Sequence, residues 1–286
     1  MIGFIGLGVM GAPMCRNLAA KSGEKVYAFD LEAARLESLK AHGVQAAASA
    51  REVAEHSKFL FLSLPGGKEV KEVCVGRDSL LRHLRSGSYL VDLSTVPVAL
   101  AVDLHGRFAA RGINFADAPV ARTRAAAEEG TLSAMVGGSE ATFKRIQPLL
   151  AHVASDITHC GGPGSGQAMK LLNNMVLFQN VVALAEALAL ARRAGLDPVR
   201  AFEVLSKGSA DSFALRNHGM KAMLRGEYPE RAFSVEYAIK DIEYALELAQ
   251  QAGIKLNGAL YAKALLERAA QAGFGKEYFP ALVKVL

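Results

Sequence analysis

Short apolar runs alternate with longer stretches of helical periodicity over the first 160 residues of the chain. Ile2–Ile5, Lys25–Phe29, Phe59–Leu64, Tyr89–Leu93, Asn114–Ala118, Leu132–Val136 and Ile157–Cys160 have the length and continuity of buried strands. Helical patterns fall between most of them, including Met10–Ala20, Ala33–Ala41, Val98–Ala110 and Glu140–Ala151. This alternation predicts an α/β fold with a doubly wound, mostly parallel sheet, the later strands being mixed in direction. After Gly161-Gly162-Pro163 the strand pattern ends. Ser165–Ala194 can run as one helix of roughly 30 residues, about 45 Å long. Gly195 closes it, and Asp197-Pro198 opens another in the N-cap and N1 positions. Further helices follow, with turns near Gly208, Gly226, Gly253 and Gly273. Two domains are expected: residues 1–162, and an all-helical C-terminal domain at residues 163–286 that includes the long connecting helix. That helix is apolar around much of its circumference. One neighbouring layer would not bury it, so a subunit interface in a homo-oligomer, a dimer or tetramer, is expected.

The first turn of the chain carries the densest chemical signal. After the first apolar run come Gly6, Gly8 and Gly11, in the spacing G-x-G-x-x-G, and a helical pattern from Met10 onward. Gly6 permits the tight turn, Gly8 lets the backbone approach a pyrophosphate, and Gly11 lets the helix pack close to the strand. Leu7, Val9 and Met10 complete this candidate dinucleotide loop, at a helix N-terminus whose free N–H groups and dipole favour an anion. Asp30 ends the second run, about 20 residues on, where a carboxylate can accept hydrogen bonds from the ribose hydroxyls. It can equally cap the helix starting near Glu32.

Composition narrows the alternatives. In 286 residues, half are hydrophobic and a fifth are charged, as in a soluble globular protein. The net charge of +5 suits an anionic ligand. Scattered Lys and Arg, with no Trp and no basic run interleaved with aromatics, give nucleic-acid binding no support. Cys15, Cys74 and Cys160 are odd in number and far apart, which fits free thiols in a reducing cytoplasm rather than a disulfide framework or a zinc site. No metal-ligand spacing is present among the seven His. The chain opens directly into a strand, so no secretory signal is expected. Leu171–Ala191 is apolar but interrupted by Asn173, Asn174, Gln179, Asn180 and Glu186, and reads as a buried helix rather than a membrane span.

The long helix supplies a second candidate group. Lys170 and Asn174 stand at i,i+4 on one face of an otherwise apolar stretch, where both are expensive to bury without purpose. Lys170 can supply a proton or a positive charge, and Asn174 can orient a hydroxyl or carboxylate. The alternative is a snorkelling lysine beside an asparagine that bonds a neighbouring helix.

Across essentially its whole length, the chain resembles the β-hydroxyacid dehydrogenase family, which includes the 3-hydroxyisobutyrate dehydrogenases. Phe4–Asn17 resembles the family's G-L-G-x-M-G-x-x-M-x-x-N cofactor signature, including Met10, Met14 and Asn17. Asp117-Ala118-Pro119-Val120 resembles the start of its substrate motif, continued by Gly130-Thr131-Leu132 and Met135-Val136-Gly137-Gly138. Gly164–Asn174 resembles its catalytic motif, and Lys240-Asp241 its C-terminal K-D pair. The resemblance implies a Rossmann-type nucleotide domain, NAD or NADP as cofactor, and hydride transfer to or from a small 3-hydroxy acid. It places the catalytic lysine on Lys170, substrate binding on Asn174, and cofactor contacts on Lys240, Phe233, Leu64, Pro65 and Thr95.

One motif departs from the family. Where D-A-P-V is usually followed by S-G-G or S-G-S, this chain has Ala121-Arg122-Thr123. The first hydroxyl is gone and a guanidinium stands beside it. Arg122 could bind a substrate carboxylate bidentately; alternatively it points to solvent while backbone N–H groups hold the acid. Asp30 would repel the 2′-phosphate of NADP and so favours NAD, whereas Arg35 and Lys25 could accommodate that phosphate. Three other readings stand beside the main one. They are a reductase of a small semialdehyde acid of tartronate, succinic or glyoxylate type, a non-catalytic dinucleotide-binding regulator, and 6-phosphogluconate dehydrogenase-like chemistry, whose longer helical domain this chain lacks.

Overall fold

The structure, a computed structural model, describes residues 1–230 and 232–286. They form two compact units, Met1–Lys170 and Leu171–Leu286.

The first unit is built on a sheet whose strands are apolar because both faces are covered. In chain order it contains β1 (Ile2–Ile5), α1 (Gly11–Lys21), β2 (Val26–Phe29), α2 (Ala33–Lys40), β3 (Val44–Ala46), α3 (Ala50–His56), β4 (Phe59–Leu62), α4 (Gly67–Val75), α5 (Leu80–His83), β5 (Tyr89–Asp92) and α6 (Val98–Ala109). Then come β6 (Asn114–Asp117), β7 (Val120–Ala121), α7 (Arg124–Glu129), β8 (Leu132–Gly137), α8 (Glu140–Leu150) and β9 (Ala154–Gly161). The strand order is β3-β2-β1-β4-β5-β6-β8-β7, with β9 on β8. Successive residues of a strand enter opposite cores. Phe61 and Val91 pack with Phe4, Met14 and Leu18 on one face, while Leu60, Leu62 and Leu90 pack with Val70, Leu104 and Phe108 on the other.

The strands β1 to β6 are mutually parallel. The expected mixing begins with β8, which is antiparallel to β6 and β7 and parallel to β9. Two strands, β3 and β7, escape the hydrophobic pattern. They have three and two residues, and only Val44 of β3 is buried. The order of strands reverses between β1 and β4. Chain connections leave in opposite directions there, opening a crevice beyond the C-terminal strand ends.

The second unit is helical. The helix α9 (Ser165–Arg193) begins in the first unit and continues into this one, followed by α10 (Pro198–Leu205), a π-helical segment Leu215–Met223, α11 (Val235–Gln251), α12 (Asn257–Ala269), a short π-helical turn Ala270–Phe274 and a closing 3-10 segment Phe279–Val285. The starts are written locally. Asp197 accepts from the Arg200 amide with Pro198 at N1, and Ser234 accepts from the Tyr237 amide. The core gathers Phe178, Phe202, Leu215, Ile242, Leu266 and Phe279. Among the described residues, α9 alone has the length and apolarity of a membrane span. Its Phe178, Val181, Ala185 and Leu188 are consumed in this core.

His218 lies buried in the π-helical segment, against the rings of Phe213, Tyr278 and Phe279. Its Nδ1 is 2.5 Å from the Tyr278 hydroxyl, and its Nε2 has no hydrogen-bond partner among the described residues. Desolvation lowers its pKa from the ordinary 6.5 to about 4. The unfolded chain therefore takes up this proton at a higher pH than the folded one. The neutral ring carries no penalty above pH 6.5, and stability falls as pH drops from 6.5 to about 4, by up to about 1.4 kcal/mol per pH unit. In His218→Gln that loss is expected to disappear. Thermal unfolding of both proteins at about pH 7 and about pH 5 checks this, and equal acid sensitivity would contradict it.

Candidate active site

The glycine turn follows β1 at the reversal of strand order, and its three glycines do different work. Gly6 has φ +93°, and a methyl group there would lie 2.2 Å from the Ser63 carbonyl oxygen. A methyl group on Gly11 would lie 1.9 Å from the Gly6 carbonyl oxygen. Both are needed by the protein's own packing. At Gly8 the nearest atom to such a methyl is Arg35 Nη1, at 3.8 Å. The backbone is thus open where a pyrophosphate would approach. No side chain caps α1, and no acid lies in its first turn, so the residues present fit a dinucleotide phosphate.

Asp30 combines both sequence expectations. Its Oδ1 accepts from the Glu32 amide at 2.8 Å, the capping geometry, and its Oδ2 accepts from the Leu7 amide at 2.6 Å. The carboxylate braces the glycine turn from the end of β2. Arg35 lies 3.5 Å from Asp30 and 2.5 Å from Glu32, so its positive charge already faces two acids.

The C-terminal ends of β4, β5 and β6 are strapped together by polar groups. The Leu64 amide donates to Ser94 Oγ at 2.9 Å, and the Ser94 amide donates to Asp92 Oδ1 at 2.9 Å. Leu64-Pro65 and Thr95 are thereby held at neighbouring strand ends. Asp117, the last residue of β6 and fully buried, accepts from the amides of Gly164 and Gln167, each at 2.8 Å. Its carboxylate satisfies donors at the start of α9 that would otherwise be orphaned. Burial raises its pKa, against the lowering effect of those amides. Close approach depends on glycine: a methyl on Gly166 would meet the Met135 carbonyl oxygen at 2.3 Å, and one on Gly137 would meet Asp117 Oδ1 at 2.5 Å. The Gln167 side chain accepts from the Val96 amide at 3.0 Å and donates to the Ser94 carbonyl at 2.8 Å. One turn further along α9, Lys170 is 9% exposed. Neither Asp117 as a cap nor Gln167 as a bridge was expected. An acid ending an apolar strand and a glutamine directly after two closely spaced glycines at a helix start were the available signals.

Asn174 is buried one turn beyond Lys170. In the helical unit its Nδ2 donates to Asp241 Oδ2 at 2.7 Å, and its Oδ1 accepts from Asn173 at 3.0 Å. Lys240 Nζ lies 3.0 Å from Asp241 Oδ1, over the rings of Tyr237 and Tyr244. The K-D pair therefore sets the Asn174 amide. Phe233 stacks on Phe178 at 6.0 Å and packs edge-on against Phe279.

The departing tripeptide is tied to its own unit. Ala121 pairs with Ser133 in β8, and Thr123 Oγ1 accepts from the Ala126 amide at 3.4 Å to cap α7. Arg122 has φ +90° and is the one non-glycine residue with positive φ among the described residues. This conformation costs on the order of 1 kcal/mol or more in a side-chain-bearing residue, and here it falls where the family usually has glycine. The guanidinium is engaged within its own unit. Nη1 donates to the Thr131 carbonyl at 2.6 Å and to Ser155 Oγ at 2.8 Å, and Nη2 pairs with Asp156 at 2.5 Å.

Cys15 and Cys74 are buried free thiols with pKa values raised by desolvation. No cluster of metal-ligating side chains occurs among the described residues.

Comparison with known proteins agrees with this geometry. A family model described as the NAD binding domain of 6-phosphogluconate dehydrogenase matches residues 1–162. A second, described as NAD-binding of NADP-dependent 3-hydroxyisobutyrate dehydrogenase, matches residues 164–286. The chain is 38% identical over 284 residues to 2-(hydroxymethyl)glutarate dehydrogenase of Eubacterium barkeri, covering 99% of this chain and 94% of that protein. It is 35% identical over 287 residues to 2-hydroxy-3-oxopropionate reductase of Escherichia coli, covering 100% and 96%. The crystal structure of 3-hydroxyisobutyrate dehydrogenase from Salmonella typhimurium superimposes with a TM-score of 0.89 at 30% identity, covering 100% of this chain and 99% of that one. With its open glycine turn, strapped strand ends and buried Lys170, the chain belongs to the β-hydroxyacid dehydrogenase family of NAD(P)-dependent oxidoreductases.

Proposed function

We propose that this protein interconverts a small 3-hydroxy acid and the corresponding semialdehyde acid, with Lys170 as the proton carrier. The observation that carries the reading is the buried Lys170 on the turn of α9 that Asp117 and Gln167 fasten to the strand ends. The substrates named for two relatives, 2-(hydroxymethyl)glutarate and 2-hydroxy-3-oxopropionate, share a one-carbon alcohol or aldehyde beside a carboxylate-bearing carbon. A 3-hydroxyisobutyrate-type alcohol is the main reading, and reduction of a tartronate-type semialdehyde is the same chemistry run in reverse.

The bound nicotinamide supplies the hydride acceptor or donor. Residues Gly6 to Gly11, with Asp30, would hold the dinucleotide, and Leu64, Pro65, Thr95, Phe233 and Lys240 would complete its surroundings. In the oxidative direction the neutral amine of Lys170 accepts the hydroxyl proton. In the reductive direction its ammonium returns that proton and stabilises the developing alkoxide. Asn174, its amide set by Asp241, orients the substrate oxygen, and the backbone N–H groups of Ala121–Thr123 hold the carboxylate. Lys170→Ala is expected to lower kcat by about three orders of magnitude with the cofactor Kd nearly unchanged. Steady-state rates read beside cofactor titration test this, and a variant retaining most of its turnover refutes the role.

Cofactor preference follows from charge. Asp30 and Glu32 present two acids near the ribose position, and both already face Arg35. NAD should therefore be favoured over NADP, by about tenfold or more in Kd. Equal or reversed affinities in side-by-side titrations would contradict this.

The apolar side chains that α9 leaves exposed, Met169, Leu172, Val176 and Leu190, support burial of this helix in a homo-oligomer of a soluble, cytoplasmic enzyme. Light scattering at micromolar concentration should give at least a dimer mass, and a monomer mass would overturn the assembly.

A further inference from the structure

We propose that Gln167 is a positioning residue for the reaction, a strut that sets the spacing between the Thr95 loop and the turn carrying Lys170. The inference rests on the hydroxyacid reading above and adds to it a residue that touches no reacting atom.

Gln167 is fully buried, and both ends of its amide are engaged by backbone. Oε1 accepts from Val96 N and Nε2 donates to Ser94 O, so the side chain brackets Thr95 as a neighbouring strand would. Its own backbone amide is fixed by Asp117 Oδ2. On one side the strut continues through Ser94 Oγ to the Leu64 amide, which is the end of β4. On the other side Lys170 stands at i,i+3, on the same side of the helix. One side chain thus couples the positions of the β4 and β5 ends to that of Lys170. At neutral pH a primary amide of this length meets both demands. An ionised carboxylate would set an oxygen against the Ser94 carbonyl, a methionine would leave both backbone groups unpaired, and asparagine is one carbon short.

The test compares Gln167→Met with Gln167→Glu. Gln167→Met keeps the volume and removes both hydrogen bonds. It is expected to lower kcat about 30-fold or more at every pH, with KM for the acid and Kd for the cofactor within about threefold of wild type. Gln167→Glu is expected to match that loss at high pH and to recover, relative to wild type, as pH falls. Once protonated, its carboxyl group can again donate to Ser94 O and accept from Val96 N. The charged groups at this place are Asp92, bonded to the Ser94 amide, Asp117, bonded to the Gln167 amide, and Lys170. Amide hydrogen exchange at Val96 reads the strut without turnover, and faster exchange is expected in Gln167→Met.

The proposal is overturned by kcat within about twofold of wild type in Gln167→Met, by a loss confined to cofactor Kd, or by absence of acid recovery in Gln167→Glu. Unchanged exchange at Val96 overturns it as well. A wild-type protein inactive on all small 3-hydroxy acids and semialdehydes would instead defeat the functional reading, while the exchange measurement still decides whether the strut exists.

Discussion

The buried carboxylate of Asp117 at the start of α9 is the interaction on which the rest of the structure depends. A charge without water needs compensation, and here two backbone amides supply it. The same bonds satisfy a helix end that has no solvent to turn to, and the helix dipole adds to the attraction. The arrangement exists only because Gly137 and Gly166 lack side chains, which lets the helix turn settle directly onto the strand end. Once that turn is fixed, Lys170 is no longer a long flexible side chain on a surface. It becomes a buried residue on a helix turn fastened to the strand ends.

The sheet contributes a place rather than a chemistry. Parallel strands end together, and the reversal of order between β1 and β4 leaves backbone groups of several strands facing one crevice. Glycine identity divides there between fold and function. Gly6 and Gly11 answer to internal contacts, whereas the space beside Gly8 is left open by the protein's own atoms. Polar side chains beneath the crevice (Asp30, Ser94, Asp117 and Gln167) each bind backbone rather than solvent. Such networks are rigid because breaking a member leaves a buried group unsatisfied.

The helical unit shows the same economy in a different form. Asn174 and Asp241 are buried and joined to the partly exposed Lys240, in a chain that gives the asparagine amide a defined orientation. At Arg122 the balance differs. A backbone conformation suited to glycine is kept under a side chain, and the guanidinium is drawn to Thr131, Ser155 and Asp156.

Much of this was legible from residue order. Apolar runs of strand length, glycine spacing and local caps such as Asp197-Pro198 act over a few residues, and those forces carry into any tertiary setting. They determined the α/β unit, the helical unit and the long helix, and they marked Gly6–Gly11 and Lys170 as candidates, the catalytic role of Lys170 coming from the family resemblance. The short strands β3 and β7 were not legible, because two or three residues carry too little periodicity to be seen. The dual engagement of Asp30, the cap by Asp117, the Gln167 bridge and the direction of the Arg122 guanidinium were decided only by tertiary structure. Each includes a contact between residues roughly 20 to 70 positions apart, and which backbone group a buried carboxylate or amide finds depends on strand order and glycine-permitted approach, quantities that no local pattern contains.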